Sequence, residues 1–214
     1  MFEYKQNNTD DRFFPVTWNG AVPEQRAITN ADIREIARYE GIPFANLKAV
    51  LDIEAAGSGF LLNEPAPARP KILFEAHVFY RETPKPVSKT RPDLSSRRWN
   101  RKLYKGGSAE WDRLKDAMAF DELAALRSAS WGLGQVMGFN YGLAGCTSVE
   151  QFVVEAFTGE KQQFQHVVNF IRNTGLKQPL VRGDWHGFAR GYNGSGYAAN
   201  NYHNRLASAA GKYA

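Results

Sequence analysis

Leu47, Val50, Leu51 and Glu54 fall at i, i+3, i+4 and i+7 of a segment opened by Pro43, so the apolar stripe of one helix runs into a carboxylate. If that stripe packs inward, Glu54 points to the interior or to a cleft wall at the last helical turn, just before Gly57. Partial desolvation and the negative end of the helix dipole both disfavour its anion there. Each unit of upward pKa shift is worth about 1.4 kcal/mol, so such a site favours the protonated carboxyl that a general acid requires. The alternative is an exposed glutamate at a frayed helix end.

The same periodicity predicts helices along most of the chain. Thr29 with Asp32 resembles a capping box for a helix that stops at Gly41, ahead of the one carrying Glu54. Trp111, Leu114, Ala117 and Met118 form one later stripe, and Leu123, Ala124 and Leu126 another after Asp121. Thr147 with Glu150 reads as a capping box before Phe152, Val153, Ala156 and Phe157, and Phe164, Val167, Val168 and Ile171 line a helix ending at Gly175. Asp184 caps a short helix through Trp185, Phe188, Ala189 and Tyr192, and a last helix covers residues 198–210. Phe60 to Leu62, a proline-rich turn at 65–70 and the strand-like residues 71–75 predict a small β-hairpin. The fold class is therefore mainly α, with a β-hairpin near residues 60–75. Residues 1–27 read as an irregular arm packed through Phe13, Phe14 and Trp18, and residues 28–214 as one domain.

At 214 residues with 43% hydrophobic content, the chain is long and apolar enough to bury a substantial core. Its net charge of +5 suits an anionic polymer or surface as partner. The basic excess gathers in a long connection, residues 81–107, where Arg81, Lys85, Lys89, Arg91, Arg97, Arg98, Arg101, Lys102 and Lys105 face only Glu82 and Asp93. A loop of that length is either functional or a solvated insertion. The single cysteine, Cys146, forms no intramolecular disulfide, reads as a small packing residue and offers no cysteine-based metal site. His77, His166, His186 and His203 lack a metal-ligand spacing, and His166 and His203 read as ordinary helical residues, so no metal and no cofactor are expected. The N-terminal residues lack a basic start and apolar core, and no stretch reaches the ~18 apolar residues of a membrane span, so no signal peptide is expected.

Three segments carry the candidate chemistry: residues 54–60, beginning Glu54-Ala55-Ala56-Gly57; residues 128–138, Ser-Ala-Ser-Trp-Gly-Leu-Gly-Gln-Val-Met-Gly; and residues 189–197, including Tyr192-Asn193-Gly194. The second is small and glycine-rich, so its backbone can approach a bulky polar ligand while Gln135 offers donor and acceptor. Amides and tyrosines beside one catalytic carboxylate make a sensible lining for a sugar-binding groove. In this order the blocks resemble the signature segments of the lysozyme superfamily, goose-type lysozymes and soluble lytic transglycosylases in particular. The resemblance is closer to the phage endolysin N-acetylmuramidase family, and residues 69–80, 128–138 and 184–194 carry it.

That resemblance implies a lysozyme-like helical fold and hydrolysis of the β-1,4 bond between N-acetylmuramic acid and N-acetylglucosamine of bacterial peptidoglycan, causing host lysis. It gives Glu54 the role of general acid. Ala55 stands where the superfamily often has serine, with Ser58 as a possible substitute. Glu75 is the first candidate for the second catalytic group, Glu64 stands behind it, and an ion pair with an arginine or His77 is the structural alternative for Glu75. Ser130, Trp131, Gln135, Tyr192 and Asn193 are the substrate-binding candidates, Ser130 as support of its loop and Trp131 as a groove residue. Trp99 could also stack on sugars, whereas Trp111 and Trp185 read as core. The expected partners are glycan strands and, through the basic segment 81–105, an anionic wall or outer-membrane surface; no nucleic acid is expected, and a monomer is. The expected location is the host cytoplasm until a separate permeabilising protein gives access to the wall. A lytic transglycosylase giving 1,6-anhydro-muramic products is the enzymatic alternative, and a basic binding module with a merely structural Glu54 is the non-enzymatic one.

Overall fold

The computed structural model describes residues 27–55, 57–64, 68–83 and 87–214. The arm expected at residues 1–27 lies outside them except for its last residue. Helix α1 (Asn30–Glu40) starts at Thr29, whose capping box with Asp32 is complete, and stops at Gly41 in the left-handed conformation. Helix α2 (Phe44–Glu54) follows Pro43 and ends on Glu54 itself. Leu47, Ala49 and Val50 are fully buried, so the stripe seen in the sequence faces the core. Burying one such side chain contributes about 1.5–3 kcal/mol.

Strand β1 (Ile72–Phe74) leads into α3 (Ala76–Glu82), and α4 (Ala109–Met118) and α5 (Glu122–Arg127) precede β2 (Ala129–Trp131) and β3 (Val136–Met137). The three strands form one antiparallel sheet in the order β1-β2-β3, with Ile72 opposite Trp131 and Phe74 opposite Ala129. The local pairing expected near residues 60–75 is present as a single bridge between Phe60 and Pro70, flanked by Leu61 N–H to Arg69 C=O at 2.9 Å and Lys71 N–H to Gly59 C=O at 2.8 Å. The larger part of the sheet is the hairpin of residues 129–137, read in the sequence as a glycine-rich loop, and its non-local pairing with β1. Helices α6 (Val149–Ala156), α7 (Glu160–Asn173), α8 (Lys177–Arg182), α9 (Trp185–Asn193) and α10 (Tyr202–Gly211) complete the chain. The cap of α6 is Ser148 rather than Thr147, its hydroxyl accepting from the Gln151 amide at 3.2 Å, one residue later than expected. Asp184 caps α9 by accepting from Gly187 N–H at 2.8 Å. Helix α10 lies along α2, where Ala49, Ala209 and Ala210 meet with Ile53 and Trp185 against them. Among the described residues no helix is long and apolar enough to cross a membrane.

The long basic connection is anchored. Within residues 87–107 Leu94 and Ser95 are fully buried. Glu110, fully buried on α4, accepts from the amides of Phe74 (3.1 Å), Lys105 (2.5 Å) and Gly106 (3.0 Å) and pairs with Arg113 at 2.8 Å. Arg113 in turn donates to the carbonyls of Phe74 (3.0 Å) and Asp93 (3.1 Å). Burial pushes the Glu110 carboxyl up, but these amides and the guanidinium outweigh it and hold the group below the usual glutamate range. Glu110→Ala would leave Arg113 and three amides without their partner. A loss of about 3–5 kcal/mol in urea denaturation is expected. Because the Glu110 carboxyl is depressed, its contribution is present above the unfolded value of 4.5 and fades as pH falls through its folded value. A loss under 1 kcal/mol at neutral pH would contradict this anchoring role.

Candidate active site

At the end of α2 the chain must leave Glu54 and turn towards the sheet, and α7 controls that turn. Glu160 accepts from the Ser58 hydroxyl (2.9 Å), the Gly59 amide (2.8 Å) and the Ile28 amide (3.1 Å). One helical turn on, Gln163 accepts from Leu133 N–H (2.8 Å) and donates to the carbonyls of Ala156 (2.7 Å) and Gly59 (3.4 Å). The segment after Glu54 and the β2–β3 turn are thus joined through one buried amide. A Cβ at Gly59 or Gly132 would collide with that amide, which explains glycine at both positions. Ser58 spends its hydroxyl on Glu160 and on the Phe60 amide, so it does not stand in for the serine absent at position 55.

Glu54 itself accepts a short hydrogen bond from the hydroxyl of Tyr202, the first residue of α10. Tyr202 is 5% exposed, and its hydroxyl also meets the Asn193 side chain. Arg205, three residues further along α10, lends positive potential to the carboxylate. Glu54 lines an open cavity of about 530 Å³ with Ile53, Asn193, Gly196, Tyr197, Asn200, Tyr202 and Arg205. Burial raises the Glu54 pKa above 4.5, and the Tyr202 hydrogen bond and the Arg205 charge offset part of that rise. Burial and the neighbouring Glu54 charge push the phenols of both Tyr192 and Tyr202 upward, so both stay protonated donors. Tyr192 is stacked on Phe188 with ring centroids 5.4 Å apart.

The other site residues expected from the sequence fall elsewhere. Gln135 accepts from Ser130 (2.8 Å) and donates to the carbonyls of Gly132 (2.8 Å) and Lys71 (3.1 Å). These bonds hold Gln135 at a φ of 49° and tie the β2–β3 turn to the residue before β1. The expectation that Trp131 faces a groove is corrected: it is 2% exposed, donates to Leu126 C=O at 3.1 Å and packs edge-on against Trp111, because β2 is the central strand of the sheet. Trp111, by contrast, is a core residue as read. Glu75 sits at the start of α3, not within the strand, where its Oε2 accepts from the Tyr104 hydroxyl (2.6 Å) and meets His77 Nδ1 at 3.1 Å. It does not line the cavity at Glu54. Glu64 is engaged by Arg69 at 2.5 Å. Trp99 is 59% exposed and edges onto Tyr104 at 6.3 Å, which puts an open aromatic face near Glu75. Tyr202 and Arg205 were missed; their only trace in the sequence is their place on a late amphipathic helix.

A mainly helical fold, a small antiparallel sheet and a partly buried glutamic acid at the end of a core helix, facing an amide- and tyrosine-lined cavity, define a lysozyme-like protein. The sequence matches the N-acetylmuramidase family over residues 43–214, and the chain belongs to that family. Among solved structures it is similar to the crystal structure of Burkholderia AP3 phage endolysin, at 31% identity and a TM-score of 0.81, over 92% of this chain and 74% of that one. No match is found among curated proteins.

Since the folded Glu54 pKa is raised, ionising the group costs stability as pH climbs above 4.5. Glu54→Gln therefore unfolds at a higher midpoint than wild type at pH 7, and the difference closes below the ordinary value. Carbon-13 titration of the Glu54 carboxyl reads the same shift directly: it titrates above 4.5, and higher again in Tyr202→Phe, which removes the bond favouring the anion. A Glu54 titrating at 4.5 or below, or a downward move in Tyr202→Phe, would contradict this electrostatic picture.

Proposed function

We propose that this chain is a phage endolysin that hydrolyses the β-1,4 bond between N-acetylmuramic acid and N-acetylglucosamine of peptidoglycan. The observation that carries the reading is the Glu54 carboxyl, raised in pKa and seated in an open polar cavity with Tyr202, Asn193 and Arg205. Membership of the N-acetylmuramidase family and the likeness to a phage endolysin support it.

One Glu54 oxygen is taken up by the Tyr202 hydroxyl, and the other carries the proton. That proton passes to the glycosidic oxygen as the C1–O bond breaks, and the sugar left behind develops oxocarbenium character. Tyr202 then donates to the carboxylate as it forms, and Arg205 offsets its charge. Tyr192, stacked on Phe188 and within reach of the Glu54 charge, backs the site, and Asn193 offers its amide to sugar hydroxyls or N-acetyl groups. Ser130 and Gln135 act from behind, keeping the turn next to β1 in shape. Glu75, aligned by Tyr104 and His77, is the second carboxylate that activates the attacking water or captures C1. The bond-cleaving chemistry draws on no metal or cofactor, and the enzyme acts as a monomer that accumulates in the host cytoplasm until a separate protein permeabilises the membrane.

One observation favours a second reading. Among the described residues that line the cavity, Glu54 is the one carboxylate. A lytic transglycosylase needs no other, since the substrate's own N-acetyl group stabilises C1 and its O6 replaces water, giving a 1,6-anhydro end.

Mass spectrometry of fragments released from purified peptidoglycan separates the two readings. Reducing N-acetylmuramic ends from wild type, with release lowered about 10²- to 10⁴-fold in Glu54→Gln, are expected; anhydro ends would move the chain to the transglycosylases, and equal release by both proteins would remove Glu54 from the mechanism. The exposed Arg97, Arg98, Arg101 and Lys102 are proposed to hold the enzyme on an anionic wall. Neutralising all four is expected to weaken wall binding at low salt and to flatten its salt dependence; unchanged binding would sink that role.

A further inference from the structure

Cys146, in the loop before α6, Glu155, near the end of α6, and His166, in α7, converge on one point. Cys146 Sγ lies 3.6 Å from Glu155 Oε2 and 3.7 Å from His166 Nε2, and those two atoms are 2.9 Å apart. Cys146 and His166 are 5% and 2% exposed, and Glu155 is half-buried. None of the three lines the cavity at Glu54.

The arrangement is not that of a nucleophilic relay. In a relay the thiol and the carboxylate bond opposite nitrogens of the imidazole. Here both meet Nε2, so three donor atoms surround a common centre. We propose that Cys146, Glu155 and His166 bind a zinc ion. Zinc takes thiolate sulfur at about 2.3 Å and imidazole nitrogen or carboxylate oxygen at about 2.0–2.2 Å, which places neighbouring ligand atoms of a tetrahedron about 3.3–3.6 Å apart. The cluster needs only to open its His166–Glu155 contact by a few tenths of an ångström. Thiolate and carboxylate together neutralise a dication, so the filled site adds no net charge to the interior. Sulfur and nitrogen donors select zinc over magnesium or calcium.

The surroundings already orient the ligands. Gln151 Nε2 donates to Glu155 Oε1 at 2.8 Å, and Gln162 Nε2 to Glu155 Oε2 at 2.7 Å. Phe152 lies against the His166 ring with centroids 4.6 Å apart, fixing its plane. Such outer contacts set ligand direction in zinc sites. The fourth position is filled by water from the side of Glu155, the one ligand that is partly exposed. The ion ties the loop ending at Cys146 to α6 and α7, and α7 carries Glu160 and Gln163, which hold the turn after Glu54. Its role is therefore structural.

The test uses the full chain, stripped with chelator and titrated with zinc or cobalt(II). Native mass spectrometry is expected to show one zinc per chain, with a higher unfolding midpoint on zinc addition. The cobalt form is expected to show thiolate-to-metal absorption and the visible bands of a tetrahedral ion. Cys146→Ser and Glu155→Gln, checked for folding by circular dichroism, are expected to weaken zinc binding at least about tenfold, and Cys146→Ser to abolish the thiolate band. No retained zinc together with an unmoved midpoint would overturn the proposal, as would equal zinc affinity in folded Cys146→Ser and wild type. Should the variants not fold, the wild-type cobalt spectrum decides, and absence of the thiolate band overturns the site.

Discussion

The fixed point of this molecule is the pair of polar side chains on the first turn of α7. Glu160 and Gln163 are 5% and 2% exposed, yet each spends its acceptors and donors on backbone groups of separate segments. Leaving one such buried group unpaired costs about 1–3 kcal/mol, so the two loops they hold cannot drift apart cheaply. The close approach is possible because residues 59 and 132 are glycines that lie against the Gln163 amide. One helix thereby determines how the chain leaves Glu54 and how the β2–β3 turn meets it.

Two buried glutamates show how partners decide the sign of a shift. Glu110 has no exposure at all, yet its carboxyl is held low, because three backbone amides and Arg113 all favour the anion. Glu54 is less buried and its carboxyl is held high, because one tyrosine hydroxyl and the field of Arg205 are too little to offset desolvation. The first arrangement builds a permanent anion that anchors a loop. The second builds a group able to give up a proton, with a hydroxyl already in place to receive the resulting charge.

Much of this was legible because it is local. The stripe Leu47, Val50, Leu51, Glu54 is carried by one helix, and the caps at Thr29 and Asp184 involve residues three apart, so spacing alone reveals them. The pairing of β1 with β2 joins residues more than fifty positions apart, and no local pattern encodes it. Glycines following Trp131 suggested an open loop, but Gly132 and Gly134 lie against Gln163 and Val167 of α7, and the strand just before them is central. Tyr202 reaches Glu54 across 148 positions, and its role follows only from α10 lying along α2. The Cys146, Glu155 and His166 cluster escaped for the same reason, since its ligands come from a loop and two helices at spacings that match no metal motif.

The central claim is that substrate is cleaved at the Glu54 carboxyl in its pocket of Tyr202, Asn193 and Arg205. A crystal structure of Glu54→Gln soaked with a peptidoglycan glycan fragment tests it most directly. The account predicts a glycosidic oxygen within about 3.2 Å of the residue 54 side chain, with sugar atoms meeting Asn193 in the same cavity. A glycan bound with no glycosidic oxygen near residue 54, or with the cavity at Tyr202 left outside the sugar path, would contradict it.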